Sequence, residues 1–200
     1  MKNIFKMLAI LLVTIGFASC KKKDPKPEVF DITKYSIVGK FSSGNPYIIT
    51  IDADDKATLT AYGFSTGKYT FIDGVLKFNF SNGEVIGSFT IENGAIKSYA
   101  GPAIINTYDL VKIPATNQLE GKTFKGIWQN LAYTTEFKFT ASQVTETTNN
   151  QSSVVNYTLI NNLAVKKQNG AYHTLLVIID NKLEGAHYNQ GYAWGIFMRQ

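Results

Sequence analysis

The chain has 200 residues, 44% hydrophobic and 13% aromatic, with one cysteine and a formal charge of +5. Five of its basic residues (Lys2, Lys6, Lys21, Lys22, Lys23) stand in the first 23 positions, which leaves 15 basic against 15 acidic residues from position 24 onward. A neutral domain has no surplus charge to place against phosphates, so nucleic-acid binding is excluded. One cysteine likewise excludes a disulfide framework or a cysteine-rich metal site. In chain order, Lys2 and Lys6 precede an apolar run from Met7 to Ala18, too short to cross a bilayer, and the small residues Ala18 and Ser19 lead to Cys20. This is the layout of a cleaved secretory signal over residues 1–19.

The segment Phe17-Ala18-Ser19-Cys20 resembles the lipobox of diacylglyceryl-modified bacterial lipoproteins. That resemblance implies that Cys20 becomes the lipidated N-terminus of the mature protein, anchored at the outer membrane on either the periplasmic face or the cell surface. Several acyl chains, each methylene contributing about 0.8 kcal/mol, make such an anchor effectively permanent. Residues 20–33 continue as Cys20 and a Lys/Pro-rich stretch that reads as a flexible tether. Extended at about 3.1 Å per residue, it reaches about 40 Å.

The remainder is read as all-β, an antiparallel up-and-down meander with almost no helix. Apolar residues alternate in Tyr47-Ile49-Ile51, Ala57-Leu59-Ala61, Leu76-Phe78-Phe80, Phe137-Phe139, Val155-Tyr157-Leu159 and Leu175-Val177-Ile179. The dipeptides Asp73-Gly74, Asn82-Gly83 and Asn93-Gly94 suit tight hairpin turns. The turns also repeat. Tyr69 to Gly74 matches Tyr157 to Asn162 at an offset of 88, Asn82-Gly83 matches Asn169-Gly170 at 87, and Asn93 matches Asn181 at 88. Gly39-Lys40 is matched to Gly121-Lys122 at an offset of 82, which implies about six extra residues near Thr145 to Ser153 in the second copy. The copies are placed at residues 34–113 and 118–200, joined by Pro114 to Asn117.

Each copy opens on a Gly-Lys strand, passes through a Tyr-x-x-x-Asp/Asn hairpin and closes on an aromatic strand ending in a basic residue (Tyr108 to Lys112; Trp194 to Arg199). These features resemble the lipocalin-like domain of small Bacteroidetes-type lipoproteins and imply two tandem barrel or half-barrel repeats. Two separate side-chain-filled barrels and one composite shell, with room for a ligand between the copies, are both compatible with this pattern.

Gly63-Phe64-Ser65-Thr66-Gly67 spells G-x-S-x-G, but a nucleophile elbow needs a helix after it, and here a glycine-rich hairpin loop between strand-like runs is expected. His173 and His187 are the only histidines and have no partners at metal-ligand spacing. No cofactor, metal or catalytic residue is therefore expected. The stretch His187 to Trp194 alternates aromatics with amides. Its plainer reading is a turn at Asn189-Gln190-Gly191 followed by a core strand in which Tyr192, Trp194, Ile196 and Met198 face inward. Its functional reading is a ligand site for a sugar-like or aromatic molecule, built from Tyr188, Asn189, Tyr192 and Trp194 with Trp128 and Tyr133. The expected function is a lipid-anchored binding module for a small apolar, aromatic or sugar-like ligand or an envelope protein partner; the alternative is a structural or accessory subunit of an outer-membrane complex without a pocket, with a hydrolase using Ser65 as the minority reading. A Cys20→Ser variant is expected to lose radiolabelled palmitate and to move to the soluble fraction; retention in washed membranes would contradict lipidation.

Overall fold

A computed structural model describes residues 30–61, 63–80, 87–129, 131, 133–169, 172–188 and 191–200. The signal segment, Cys20, most of the tether, Tyr62, Asn82, Gly83, Gly170, Asn189 and Gln190 lie outside the described residues. After a single 3-10 turn (Ile32–Lys34) come eight strands: β1 (Tyr35–Phe41), β2 (Pro46–Ile51), β3 (Lys56–Thr60), β4 (Phe64–Ile72), β5 (Val75–Phe80), β6 (Ser88–Glu92), β7 (Ala95–Ala100) and β8 (Ile105–Lys112). Eight more follow: β9 (Thr123–Trp128), β10 (Tyr133–Phe139), β11 (Gln143–Thr148), β12 (Gln151–Ile160), β13 (Ala164–Asn169), β14 (Tyr172–Ile179), β15 (Lys182–Tyr188) and β16 (Tyr192–Arg199). There is no α-helix among the described residues.

Every pairing is antiparallel, and each set of eight is an up-and-down meander. The first set has the order β7-β6-β5-β4-β3-β2-β1-β8 and is nearly closed; the second is a closed barrel in which β16 returns to β9. The composite shell is thereby replaced by two separate barrels. Alternation sets their interiors, since successive side chains on a strand point to opposite faces. Tyr47, Ile49, Ala57, Leu59, Leu76 and Phe89 fill the first. Phe124, Trp128, Phe137, Phe139, Leu176 and Phe197 fill the second. The turn chemistry is as the dipeptides suggest: Asp73/Gly74, Asn93/Gly94 and Asp180/Asn181 all have positive φ, the geometry of two-residue hairpin turns that match strand twist, and Asn161/Asn162 have it in a three-residue connection.

One end of each barrel is plugged by the residues leading into its first strand. Ile32 is buried in the first core and Leu119 in the second, each beside an Asx turn in which Asp31 Oδ1 accepts from the Thr33 amide (3.1 Å) and Asn117 Oδ1 from the Leu119 amide (2.9 Å). The folded unit thus starts before the expected end of the tether at residue 33, because Ile32 has apolar surface to bury.

Strand pairing also corrects the repeat. With Tyr69 set against Tyr157, the registers carry Phe78 onto Lys167, Leu59 onto Glu146, Tyr47 onto Thr135 and Gly39 onto Gly126. Gly39 therefore corresponds to Gly126, at an offset of 87, and not to Gly121. Both glycines meet the same obstacle: a Cβ at either would run into a backbone carbonyl of the last strand of its barrel, Thr107 or Ile196. The six-residue insertion disappears, since Asn149-Asn150 is an ordinary turn between β11 and β12.

The barrels differ at one seam. In the second, Gly185 and Gly195 face each other across β15 and β16, and a Cβ on Gly185 would lie 2.9 Å from Trp128 Cη2 and 3.1 Å from Phe197 Cε2. In the first, Tyr99 pairs with Phe89 as Gly185 pairs with Leu176. It places a ring where the closed barrel has none. Its ring meets that of Tyr108 at 5.5 Å across β7 and β8, which no strand pairing joins.

The barrels pack side by side through a third apolar cluster: Val38 and Ile48 on the outside of the first meet Leu163, Leu175, Val177 and Ile179 on the outside of the second. The run Leu175-Val177-Ile179 thus serves this contact, while Leu176 faces its own barrel. Lys40 Nζ reaches Glu184 Oε1 at 3.2 Å and Asn161 Nδ2 donates to Ser36 Oγ at 2.9 Å across the same junction. Gly185→Ala is expected to destabilise the protein by about 1–3 kcal/mol through overpacking against Trp128 and Phe197; urea unfolding reads this as a lowered midpoint, and an unchanged midpoint would contradict it.

Candidate functional site

The interior of the closed barrel is apolar at its plugged end and polar at its mouth. The apolar residue Val144 fixes the parity of β11, so Glu146, two residues on, also points inward. Val165 does the same for Lys167 on β13. Glu146 Oε2 and Lys167 Nζ form an ion pair. The Lys167 side chain is only 7% exposed, and its ammonium lies 5.5 Å from the Phe137 ring centre. Above them Thr135 and Thr148 share a hydroxyl hydrogen bond of 2.7 Å. Thr174 Oγ1 and His187 Nδ1 are 2.9 Å apart, and the His187 ring is stacked with Tyr172, centre to centre 5.7 Å. The cavity they enclose measures about 430 Å³, and Tyr133, Ser153 and Gln151 complete its wall. That volume falls within the roughly 300–1,000 Å³ of small-molecule pockets.

The electrostatics are balanced. Burial, reinforced by the Lys167 charge and opposed by Glu146, holds the His187 imidazole below its usual 6.5, so it is neutral at pH 7. Burial and the neighbouring Glu146 carboxylate push the Tyr133 phenol up, which keeps it a hydroxyl donor. With Glu146 and Lys167 cancelling, the mouth carries no formal charge. It offers acceptors, donors and a ring face together. The same positions of the first barrel hold Tyr47, Leu59 and Phe78 in place of Thr135, Glu146 and Lys167, so the polar layer belongs to the second copy alone.

The sequence-derived site residues are divided between two faces of the barrel wall. Trp128 is inside and buried, with its ring 5.7 Å from that of His187 and 5.1 Å from that of Phe197; it packs behind the cavity wall and does not line it. Tyr133 is inside and lines the cavity. Tyr188 and Tyr192 are paired on the outer face of the rim, ring centres 5.0 Å apart. Trp194 is also outside, its ring against Gly44 of the β1–β2 turn, where a Cβ would lie 3.1 Å from it. Asn189 lies outside the described residues. The expectation that Tyr192, Trp194, Ile196 and Met198 face inward is overturned: Ala193 and Phe197 are the buried core residues of β16, and Met198 is 51% exposed. Large rings cannot occupy every inward position of a barrel this narrow, so along β16 Ala193 and Gly195 share the inside with the single ring of Phe197.

Glu146, Lys167, Thr174 and Tyr172 were not among the residues singled out from sequence. The signal was parity: a charged residue two positions from a buried valine within a strand points inward. His187 and His173 pair with Thr174 and Tyr188 on neighbouring strands and point to opposite faces. Among the described residues no group of three or more His, Cys, Asp or Glu side chains could hold a metal. The G-x-S-x-G letters from Phe64 to Gly67 fall on β4 with Gly63 just before it, Ser65 opposite Leu59 of β3 and no helix following; most of the expected hairpin loop is a strand, in which Gly67 makes room for the β5 backbone. A second cavity, about 390 Å³, lies between the barrels beside Pro114, with Lys122, Arg199, Asp109 and Asp180 at its edge. No protein-family model matches the chain, and no curated protein or solved structure matches it significantly.

Two outcomes test this description. Lys167→Met is expected to cost about 3 kcal/mol, because it leaves a largely buried carboxylate unpaired, whereas Glu146→Leu/Lys167→Phe, which installs the residues of the first barrel, recovers most of that loss; equal losses in denaturant titrations would contradict it. For His187 the depressed pKa means that the unfolded chain takes up its proton first as pH falls. Its stabilisation is therefore present above about pH 6.5 and is lost as pH drops from there through the lower folded value. A melting-temperature profile should show this acid-side loss in the native protein and not in His187→Gln.

Proposed function

We propose that this protein is a lipid-anchored component of the bacterial outer membrane, held through Cys20, and that it acts by binding a small molecule in the mouth of the second barrel without chemical turnover. The observation that carries the reading is the difference between the two copies. Positions filled by Tyr47, Leu59 and Phe78 in one barrel are Thr135, Glu146 and Lys167 in the other, around a cavity of about 430 Å³. Burying a carboxylate and an ammonium is costly. A barrel that needed only a core would use apolar residues there, as the first does.

Binding in this reading is desolvation of one ligand face against the Tyr172 ring, which His187 backs, with orientation set by the hydroxyl, carboxylate and ammonium groups of the wall. The first barrel, packed with rings, is the support on which the second rests. The resemblance to lipocalin-like domains agrees with a site inside a barrel. Native mass spectrometry of the full chain, extracted in detergent from the membranes in which it is made, tests the idea. A small-molecule adduct is expected on the native protein and not on folded Glu146→Leu/Lys167→Phe; an adduct shared by both, or absent from both, would sink it.

A further inference from the structure

The chemistry of the mouth narrows the ligand class, on the premise that the mouth is the ligand site. Glu146 and Lys167 engage each other through one carboxylate oxygen and one ammonium proton. A carboxylate has a second oxygen and an ammonium two further protons. The ion pair therefore presents an acceptor and donors side by side, about one hydrogen-bond length apart. Two adjacent hydroxyls on one molecule match that arrangement, the first donating to Glu146 and the second accepting from Lys167. A hydroxyl can do both, and charge-assisted hydrogen bonds of this kind are about twice as strong as neutral ones.

The remaining wall points the same way. The Thr135–Thr148 hydroxyl pair and the Thr174–His187 pair supply groups that accept or donate as the ligand requires. Tyr172, 46% exposed and stacked on His187, is a platform for a flat apolar face. Formal neutrality disfavours the other classes. An anion at Lys167 meets Glu146, a cation at Glu146 meets Lys167, and a purely apolar molecule strips water from hydroxyls and charges without replacing their hydrogen bonds.

We propose that the mouth of the closed barrel binds a neutral saccharide, with two vicinal hydroxyls on the Glu146–Lys167 pair and the apolar face of the sugar ring on Tyr172. Tyr133 and the threonine hydroxyls then fix the orientation of the ring. Glu146 and Lys167 act as one recognition element, so loss of either charge removes the hydroxyl contact, while Tyr172 contributes through its face alone.

Titration of the detergent-solubilised full chain, followed through the NMR signals of the His187 and Trp128 side chains, tests the class with defined probes. These are methyl glucoside, methyl galactoside, N-acetylglucosamine and maltose, set against cyclohexanol, which has the ring but a single hydroxyl, and glycine, a zwitterion. The expected result is that at least one saccharide moves the His187 and Trp128 signals, that cyclohexanol and glycine do not, and that Glu146→Gln and Tyr172→Ala each weaken saccharide binding at least tenfold while keeping the native circular dichroism spectrum. Tyr172 is exposed enough for its truncation to leave the fold intact. Binding of cyclohexanol or glycine at these signals with no saccharide overturns the class and leaves the mouth as the site. No response to any probe overturns the class too; a mass adduct lost in Glu146→Leu/Lys167→Phe then still upholds the mouth, and its absence removes both readings.

Discussion

The interior of an eight-stranded barrel is just wide enough for side chains to fill it, and that limit governs both halves of this protein. At the seam of the second barrel two large rings inside are matched by missing side chains opposite. Trp128 and Phe197 occupy the space that Gly185 and Gly195 leave empty, and the strands bearing those glycines can then pair. Where Tyr99 replaces the glycine, the rings fill the space and the last two strands stay apart. The difference between a closed wall and an aromatic seam is thus a difference in how interior volume is shared. The polar mouth depends on the same sharing, because the Trp128 indole that packs on His187 occupies the space Gly185 leaves free.

Side-by-side packing asks the strands between the barrels to be apolar on both faces. β1, β2 and β14 meet that demand: Ile37 and Ile49 face one core while Val38 and Ile48 face the junction, and Leu176 faces the other core while Leu175 and Val177 face the junction. The junction also encloses Lys40 and Glu184, and Glu184 Oε2 has no hydrogen-bond partner. A carboxylate held in this way favours one alignment of the barrels, since sliding either would part it from Lys40. Apolar contact supplies the adhesion and the ion pair the register.

Strand texture, hairpin turns and duplication were legible because they rest on local chemistry. Period-two alternation and left-handed Asn, Asp and Gly residues need no knowledge of what lies across the sheet. The direction of Tyr192 and Trp194 was not legible in that way. Aromatics alternate with small residues along β16, and which set faces inward depends on the volume already claimed by Trp128, far away in the chain. Glu146 and Lys167 were hidden for the same reason, as each looks like an ordinary surface charge until a neighbouring valine fixes its strand's parity. Gly39 was matched to the wrong glycine because Gly121-Lys122 repeats its letters, whereas Gly126 repeats its obstacle, a backbone carbonyl in the adjoining strand.

An even number of strands returns the chain to the end of the barrel where it entered. Ile32 and Leu119 plug that end in the two copies, Tyr35 lies beside Lys112, and the Ser36–Asn161 hydrogen bond sets the two plugged ends next to each other. The segment leading into the domain, the link between its halves and the last strand of each half therefore share one pole, and the mouth with Tyr133 and Tyr172 occupies the other. The rim around the mouth is thereby left to connections between paired strands, so its residues can vary without disturbing the path of the chain from one barrel to the next.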